Sequence, residues 1–352
     1  MGWDMDFYVS LTINRCHLKR LCDIWNSRIP DSGFPFHRAI VSPLFARNGI
    51  LSQLYQNRAH CKVILDSGGF HVQQGRMALA TASQKLRTLY RENAWAHRFA
   101  LPDAPITSLD SRDVVKRKLH STRSQYRTFP KFLATALRSR LLPVVHGTTY
   151  REIHRNALAA RRVGSSYLGF GGFATSGPNA GVNSFTPYNL RLLVEFATLC
   201  KEWNLGLHVF GIGGPAAISV LQFVPVDSFD SAGWIRTAAY GNVYLPYIGA
   251  VNITGGTVSR RFVTKREFVR LRKDTKHVCA FCIDQELLAR SWPHRALHNY
   301  CTINQAVQTL AESDSHQTLQ ILRSFNPRFA KYLELVLEQQ ALLHRKPASR
   351  ET

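Results

Sequence analysis

Acidic residues are scarce in this chain of 352 residues: 23 Asp and Glu stand against 45 Lys and Arg, a formal net charge of +22. So large an imbalance argues against a basic partner and points to a polyanion, with nucleic acid the first candidate. Cysteine is sparse too, seven residues scattered over the whole length, an odd count that speaks against a disulfide framework. No apolar run approaches the roughly 20 residues of a membrane span. Met1 to Asp6 lack the basic and apolar regions of a secretory signal, so a cytoplasmic protein with no membrane partner is expected. There is no phosphate-binding loop, no repeat of fixed period and no low-complexity linker. Nucleotide-driven chemistry, solenoids and loosely tethered modules are thereby disfavoured.

What is present is a large apolar complement, 45% of residues, enough for a full-sized core. From about residue 37 to 250, short apolar runs alternate with longer amphipathic stretches. The expected strands are Ala39–Val41, Lys62–Leu65, Arg98–Leu101, Leu142–Val145, Ser166–Phe170, Gly206–Phe210 and Val226–Phe229. Helical periodicity covers Ala78–Glu92, Asp113–Arg127, Tyr150–Arg162 and Pro187–Trp203. That alternation implies an α/β protein with a parallel sheet and right-handed crossovers. Seven or eight units favour a closed (β/α)8 barrel, in which chemistry gathers at the C-terminal strand ends. An open doubly wound sheet is the alternative. Its one support, Gly211-Ile212-Gly213-Gly214, lacks the later glycine and ribose-binding acid of a dinucleotide site.

The expected division is a barrel core over 1–256, a metal-binding subdomain with C-terminal helices over 257–345, and a disordered tail over 346–352. Helical periodicity in the last part runs from Asn304 to about His344. Basic residues cluster at Lys116-Arg117-Lys118 through Arg123, Arg127 and Lys131, at Arg260-Arg261, and from Lys265 to Lys273.

Strand ends carry the candidate chemistry: Asp66, Asp103, His146, Gly171-Gly172, Gly211 and Asp230. Two acids at facing strand ends can divide a glycosyl transfer, one attacking as nucleophile and one donating and recovering a proton. Asp66 and Asp230 are the candidates for those roles, although a single Asp at such a place also serves as a cap or turn former. His146 is either a ligand for a heterocycle or a satisfied interior histidine. Gly171-Gly172 is either ligand-facing backbone or a tight turn. His277-x-Cys279-x-x-Cys282, followed by His298, offers two thiolates and two imidazoles, a closed tetrahedral set for structural Zn2+. His294 and Cys301 compete for the fourth position.

Taken together, these residues resemble the tRNA-guanine transglycosylase family over roughly residues 60 to 305. Asp66-Ser67-Gly68-Gly69-Phe70 is similar to its proton-transfer motif, and Val144-Val145-His146-Gly147 to its Val-Gln-Gly strand, with His146 in place of glutamine. Gly171-Gly172-Phe173-Ala174 resembles its Gly-Gly-Leu-Ala loop, and Gly211-Ile212-Gly213 its Gly-Val-Gly segment. Asp227-Ser228-Phe229-Asp230 resembles its nucleophile motif, with Arg236 where a nucleic-acid-contacting arginine is expected. The metal set is similar to the family's Cys-x-Cys-x-x-Cys…His site, His277 replacing the first cysteine.

The resemblance implies an irregular (β/α)8 TIM barrel with a structural zinc-binding subdomain, and base exchange without a nucleotide cofactor. Asp230 would attack C1′ of a guanosine nucleotide. Asp66 would serve as general acid and base. Ser67, Gly68, Gly69, Phe70, Asp103, His146, Gly147, Gly171 and Gly172 would receive the base, with Asp110 a rival to Asp103. Departures concern the nucleic-acid contacts. Phe70 is followed by His71 instead of glutamine, Asp230 by Ser231-Ala232-Gly233-Trp234-Ile235, and Ala239 stands where a second arginine is expected. They are similar to the branch that exchanges guanine in DNA for 7-cyano-7-deazaguanine. DNA is therefore the expected partner, tRNA the alternative, and a non-catalytic binding subunit a third reading. A homodimer and an ATP-using partner for DNA opening are further expectations, since a duplex hides the target base.

Overall fold

The computed structural model describes residues 5–46, 49–173, 175–176, 182–183, 185–255, 261–311 and 313–345. Ala174, Arg260 and the tail 346–352 lie outside the described residues. Strands β1 (Asp6–Ser10), β2 (Arg38–Val41), β3 (Lys62–Leu65), β4 (Arg98–Ala100), β5 (Leu141–Leu142), β6 (Val144–Val145) and β7 (Tyr167–Phe170) alternate with helices except between β5 and β6. β8 (Thr175–Ser176) and β9 (Val182–Asn183) form a small antiparallel pair. β10 (Gly206–Val209) and β11 (Ser228–Ser231) return to the main sheet, and β12 (Asn242–Leu245) and β13 (Gly249–Asn252) form a separate hairpin.

Nine strands make one parallel sheet in the order β5-β4-β3-β2-β1-β11-β10-β7-β6. Its two ends meet, because β5 and β6 are adjacent dipeptides on either side of Pro143. Proline has no N–H for a ladder bond, which interrupts the strand. Its carbonyl still accepts from Gly169 N–H at 2.8 Å, so the sheet is nearly closed and barrel-like. Residue alternation sorts the two faces. Tyr8, Ile40, Ile64 and Leu142 pack inside with Tyr167 and Phe210. Their sequence neighbours, such as Phe7, Val9, Val63 and Leu65, face the surrounding helices in the main core.

The strand and helix positions expected after residue 37 recur with small shifts. β11 starts at Ser228, two residues beyond the expected Val226, and the expected Leu142–Val145 strand is split at Pro143. β1 and the helix Arg15–Arg28 were not anticipated, yet β1 pairs with both β2 and β11 and sits in the middle of the sheet. Helix starts follow from side chains that accept the free N–H groups of a first turn: Ser111 from Val114, Thr149 from Glu152, Thr186 from Asn189 and Thr264 from Glu267.

The C-terminal periodicity resolves into three helices, Trp292–Ala311, Ser315–Phe325 and Pro327–Arg345. Leu297, Tyr300, Ile303, Leu322, Leu333 and Val336 from these helices belong to the same core as the sheet. A second, smaller core joins Val243, Leu245 and Val251 of the hairpin to Phe268, Leu271, Cys282 and Leu288. No helix among the described residues is long and apolar enough to cross a membrane.

Candidate active site and metal centre

Asp66 directly follows β3, and its backbone stays in the ladder through an N–H donated to Val41 O at 2.9 Å. The chain then turns sharply: Gly68 has φ +72°, and a Cβ there would lie 3.0 Å from both Ser42 Oγ and the Phe45 ring. Only glycine takes that backbone readily in so small a space. Gly68 N–H donates back to Asp66 Oδ2 at 3.0 Å. Burial pushes the Asp66 carboxyl up to about 7, and the nearby charges of Asp103 and Asp230 add to the shift against the Gly68 hydrogen bond.

Asp103 follows β4 and is buried. Ser67 Oγ donates to its Oδ1 at 2.6 Å and itself accepts from Gly69 N–H at 3.2 Å. His146, just past β6, places Nε2 2.7 Å from Asp103 Oδ2 and Nδ1 2.7 Å from Gly171 O. The carbonyl of Gly171 only accepts, so Nδ1 carries a proton. A second proton must then lie between Nε2 and Asp103, as imidazolium with carboxylate or as imidazole with carboxylic acid. Both ring nitrogens of His146 are thus engaged, and the ring acts as a prop for Asp103. Glycines allow this packing: a Cβ on Gly69 would lie 2.7 Å from Asp103 Oδ1, and one on Gly171 would run into the His146 ring.

Asp230 is the third residue of β11, in register with Tyr8 of β1. It is 8% exposed. Its Oδ1 accepts from Gly211 N–H at 2.8 Å, and no described residue hydrogen-bonds Oδ2. Three carboxylates on strands β3, β4 and β11 therefore share the C-terminal face of the sheet. One is poised to carry or release a proton near neutral pH, one is locked by hydrogen bonds, and one keeps an oxygen unengaged.

The remaining expected residues divide. Phe70 is 40% exposed, its ring edge-on to His71, which stacks on Phe45 at 3.5 Å between ring centroids. A Cβ on Gly147 would meet Ile153 N at 2.9 Å, and one on Gly172 the Phe170 ring at 2.7 Å, so both glycines serve close packing. Arg236 is exposed on the helix Gly233–Ala239 that follows Asp230. Asp110 pairs with Lys118 at 2.7 Å and accepts from Thr107 N–H, roles in its own loop. Sequence reasoning did not find His208, whose Nε2 lies 3.4 Å from Asp230 Oδ1, nor the part Ser67 plays in holding Asp103. The available signal for His208 was period two: it falls between Leu207 and Val209, which face the outer core.

His277, Cys279, Cys282 and His298 bring their ligand atoms within 4.8 Å of one another, a group able to bind a metal ion. His298 Nε2 donates to Tyr244 O at 2.9 Å, leaving Nδ1 to face Cys279 Sγ at 3.4 Å. His277 Nδ1 donates to Gln305 Oε1 at 2.5 Å, and its Nε2, on the side of the centre, also lies 3.3 Å from Thr302 Oγ1. Each imidazole thus has one nitrogen fixed by an acceptor and the other turned inward, the second-shell arrangement of metal-binding histidines. Burial lowers the His298 pKa and keeps the ring neutral, as ligation requires. His294 bonds Ser291 Oγ at 2.9 Å instead, and Cys301 lies beside Cys279 outside the set. Lys116, Arg117, Arg127, Lys131, Lys265, Arg266, Arg270 and Lys273 are exposed, whereas Lys118 and Arg123 are turned to Asp110 and Asn156.

Fold and site together define a mixed α/β protein with a nearly closed parallel sheet, an acidic cluster at its C-terminal strand ends and a four-residue His/Cys group able to hold a metal ion. Neither a family model nor a characterised protein matches the chain.

Proposed function

We propose that the protein is a nucleic-acid guanine transglycosylase, exchanging guanine in DNA for 7-cyano-7-deazaguanine on an irregular (β/α)8 barrel. Counting Leu141–Val145 as one strand interrupted at Pro143 gives eight strands around the ring. The observation that carries the reading is the division of labour between Asp66 and Asp230. A nucleophile needs a carboxylate oxygen not tied up by the protein, and no described residue hydrogen-bonds Asp230 Oδ2. A proton carrier needs a pKa near the working pH, which Asp66 has at about 7.

In the first step Oδ2 of Asp230 bonds to C1′ as the bond to N9 of guanine breaks, and Asp66 gives the departing base its proton. In the second, Asp66 takes a proton from the incoming 7-deazaguanine. Its N9 then bonds to C1′, and the electron pair of the ester bond returns to Asp230. Asp103, held by Ser67 and His146, would accept from the N1 and amino edge of the base. The His277, Cys279, Cys282 and His298 group would hold zinc; four protein ligands fill a tetrahedral ion and assign it a structural role. A formal charge of +22 suits a phosphate backbone, and the residues after Asp230 favour DNA over tRNA.

The test is nucleoside mass spectrometry after incubating the protein with 7-cyano-7-deazaguanine and either DNA or tRNA. Modified deoxynucleoside in the DNA reaction alone is expected. Modified ribonucleoside in tRNA alone would move the activity to RNA. Asp230→Ala should abolish covalent trapping of nucleic acid while retaining binding, and undiminished turnover in that variant would remove Asp230 from the mechanism.

A further inference from the structure

We propose that His208 is a positioning residue for Asp230, holding Oδ1 so that Oδ2 is the oxygen that reacts. The kinetic part of this assignment rests on the transglycosylase reading; the pairing itself does not. β10 and β11 lie side by side with His208 opposite Ser228, and strand alternation puts Asp230 on the same face. His208 is 0% exposed, with its ring edge-on to Tyr8 and Phe210 at centroid distances of 5.8 and 4.6 Å. On its other flank β7 presents Gly169, whose missing side chain leaves room for the Phe210 ring that packs against His208.

The ring is polar at both ends in an otherwise apolar interior. Nδ1 lies 2.9 Å from Ser228 Oγ, whereas Nε2 has no hydrogen-bond partner among the described residues and lies 3.4 Å from Asp230 Oδ1. A buried ring nitrogen left unpaired is costly, so its one polar neighbour matters. With the Ser228 hydroxyl donating to Nδ1, the imidazole proton sits on Nε2, on the side of Asp230.

Two N–H groups, from Gly211 and His208, would then converge on Oδ1. When Oδ2 bonds to C1′, Oδ1 becomes the ester carbonyl. When that bond breaks, the electron pair returns to the carboxylate, and the two donors stabilise the charge as it reappears. His208 touches no reacting atom of the substrate in this scheme and acts through Asp230.

The decisive measurement is nitrogen-15 NMR of histidine-labelled full-length protein, with the His208 signal identified by its loss in His208→Gln. The expected result is a neutral ring protonated at Nε2 whose shift moves in Asp230→Asn. A ring protonated at Nδ1 alone, or one indifferent to Asp230→Asn, would overturn the proposal. In base exchange, His208→Phe fills the space without a donor and should lower kcat about ten- to a hundredfold with KM little changed. His208→Gln restores an amide N–H near Nε2 and should recover most of that loss. Equal losses in the two variants, or a change confined to KM, would assign His208 to packing alone. Should the wild-type protein exchange no base, the transglycosylase reading falls, and the NMR arm still decides the pairing.

Discussion

Replacing Asp66 by Asn should remove a pH-dependent loss of stability. In an unfolded chain this carboxyl releases its proton near 3.8, whereas in the folded protein it holds it to about 7. Across that window the folded state binds the extra proton, so the unfolding free energy falls as pH rises and levels off above the folded value. A shift of about three pH units at 1.36 kcal/mol each sets a ceiling of about 4 kcal/mol. Asp66 is partly open to solvent, and part of the change has already occurred by pH 4.5, so about 2–3 kcal/mol should remain between pH 4.5 and 8.5. Asn keeps the shape and cannot ionise. Urea unfolding of both proteins across that range should therefore show the wild type losing about 2–3 kcal/mol relative to Asp66→Asn as pH increases. Parallel curves would mean that Asp66 titrates as an ordinary surface acid. The proton-carrier role would then lose its physical basis.

Two other outcomes follow from packing and from the metal group. Gly69→Ala brings a methyl 2.7 Å from Asp103 Oδ1 and 3.0 Å from Pro105, so Asp103 must leave its bonds to Ser67 and His146. Base exchange should fall at least about tenfold while circular dichroism reports a folded protein, and full activity would show that the position of Asp103 is unimportant. Cys279→Ser or His298→Ala should release zinc and lower the melting temperature by at least about 5 °C. Stoichiometric metal retained in His298→Ala would point to Cys301 as a ligand.

Strand ends were legible because an apolar run that stops at a polar residue marks where a buried strand reaches the surface. Val63-Ile64-Leu65-Asp66 and Val144-Val145-His146 are of that kind, and each side chain sits where such a pattern places it. The metal group was legible for a different reason: Cys279-x-x-Cys282 is a local geometry, and its two histidines fall within reach of it. β1 was not legible. Asp6-Phe7-Tyr8-Val9-Ser10 is short, with no turn signal to announce it, and its place at the middle of the sheet is set by pairing with β11 more than 200 residues away. The locking of Asp103 was hidden for the same reason. Ser67, Asp103 and His146 lie on three separate strand ends, and their hydrogen bonds depend on registers that no local pattern encodes.

The helix Trp292–Ala311 would make any metal affinity a property of the whole molecule. His298 faces the metal group; the next residue, Asn299, accepts from Tyr244 N–H at 2.6 Å and donates to Trp234 O at 2.9 Å. Trp234 lies four residues after Asp230, and its indole N–H reaches Ser10 O at the end of β1, at 3.3 Å. Tyr300 donates to Pro35 O ahead of β2 at 2.7 Å. One turn of helix thus ties the His/Cys group to the segments that frame Asp230. By linkage, metal that binds the folded form alone stabilises it by RT ln(1 + [metal]/Kd), whichever region opens first. Metal supply would then act as a dial on how many molecules carry an assembled acidic face, and chelation would silence them from about the far end of a single helix.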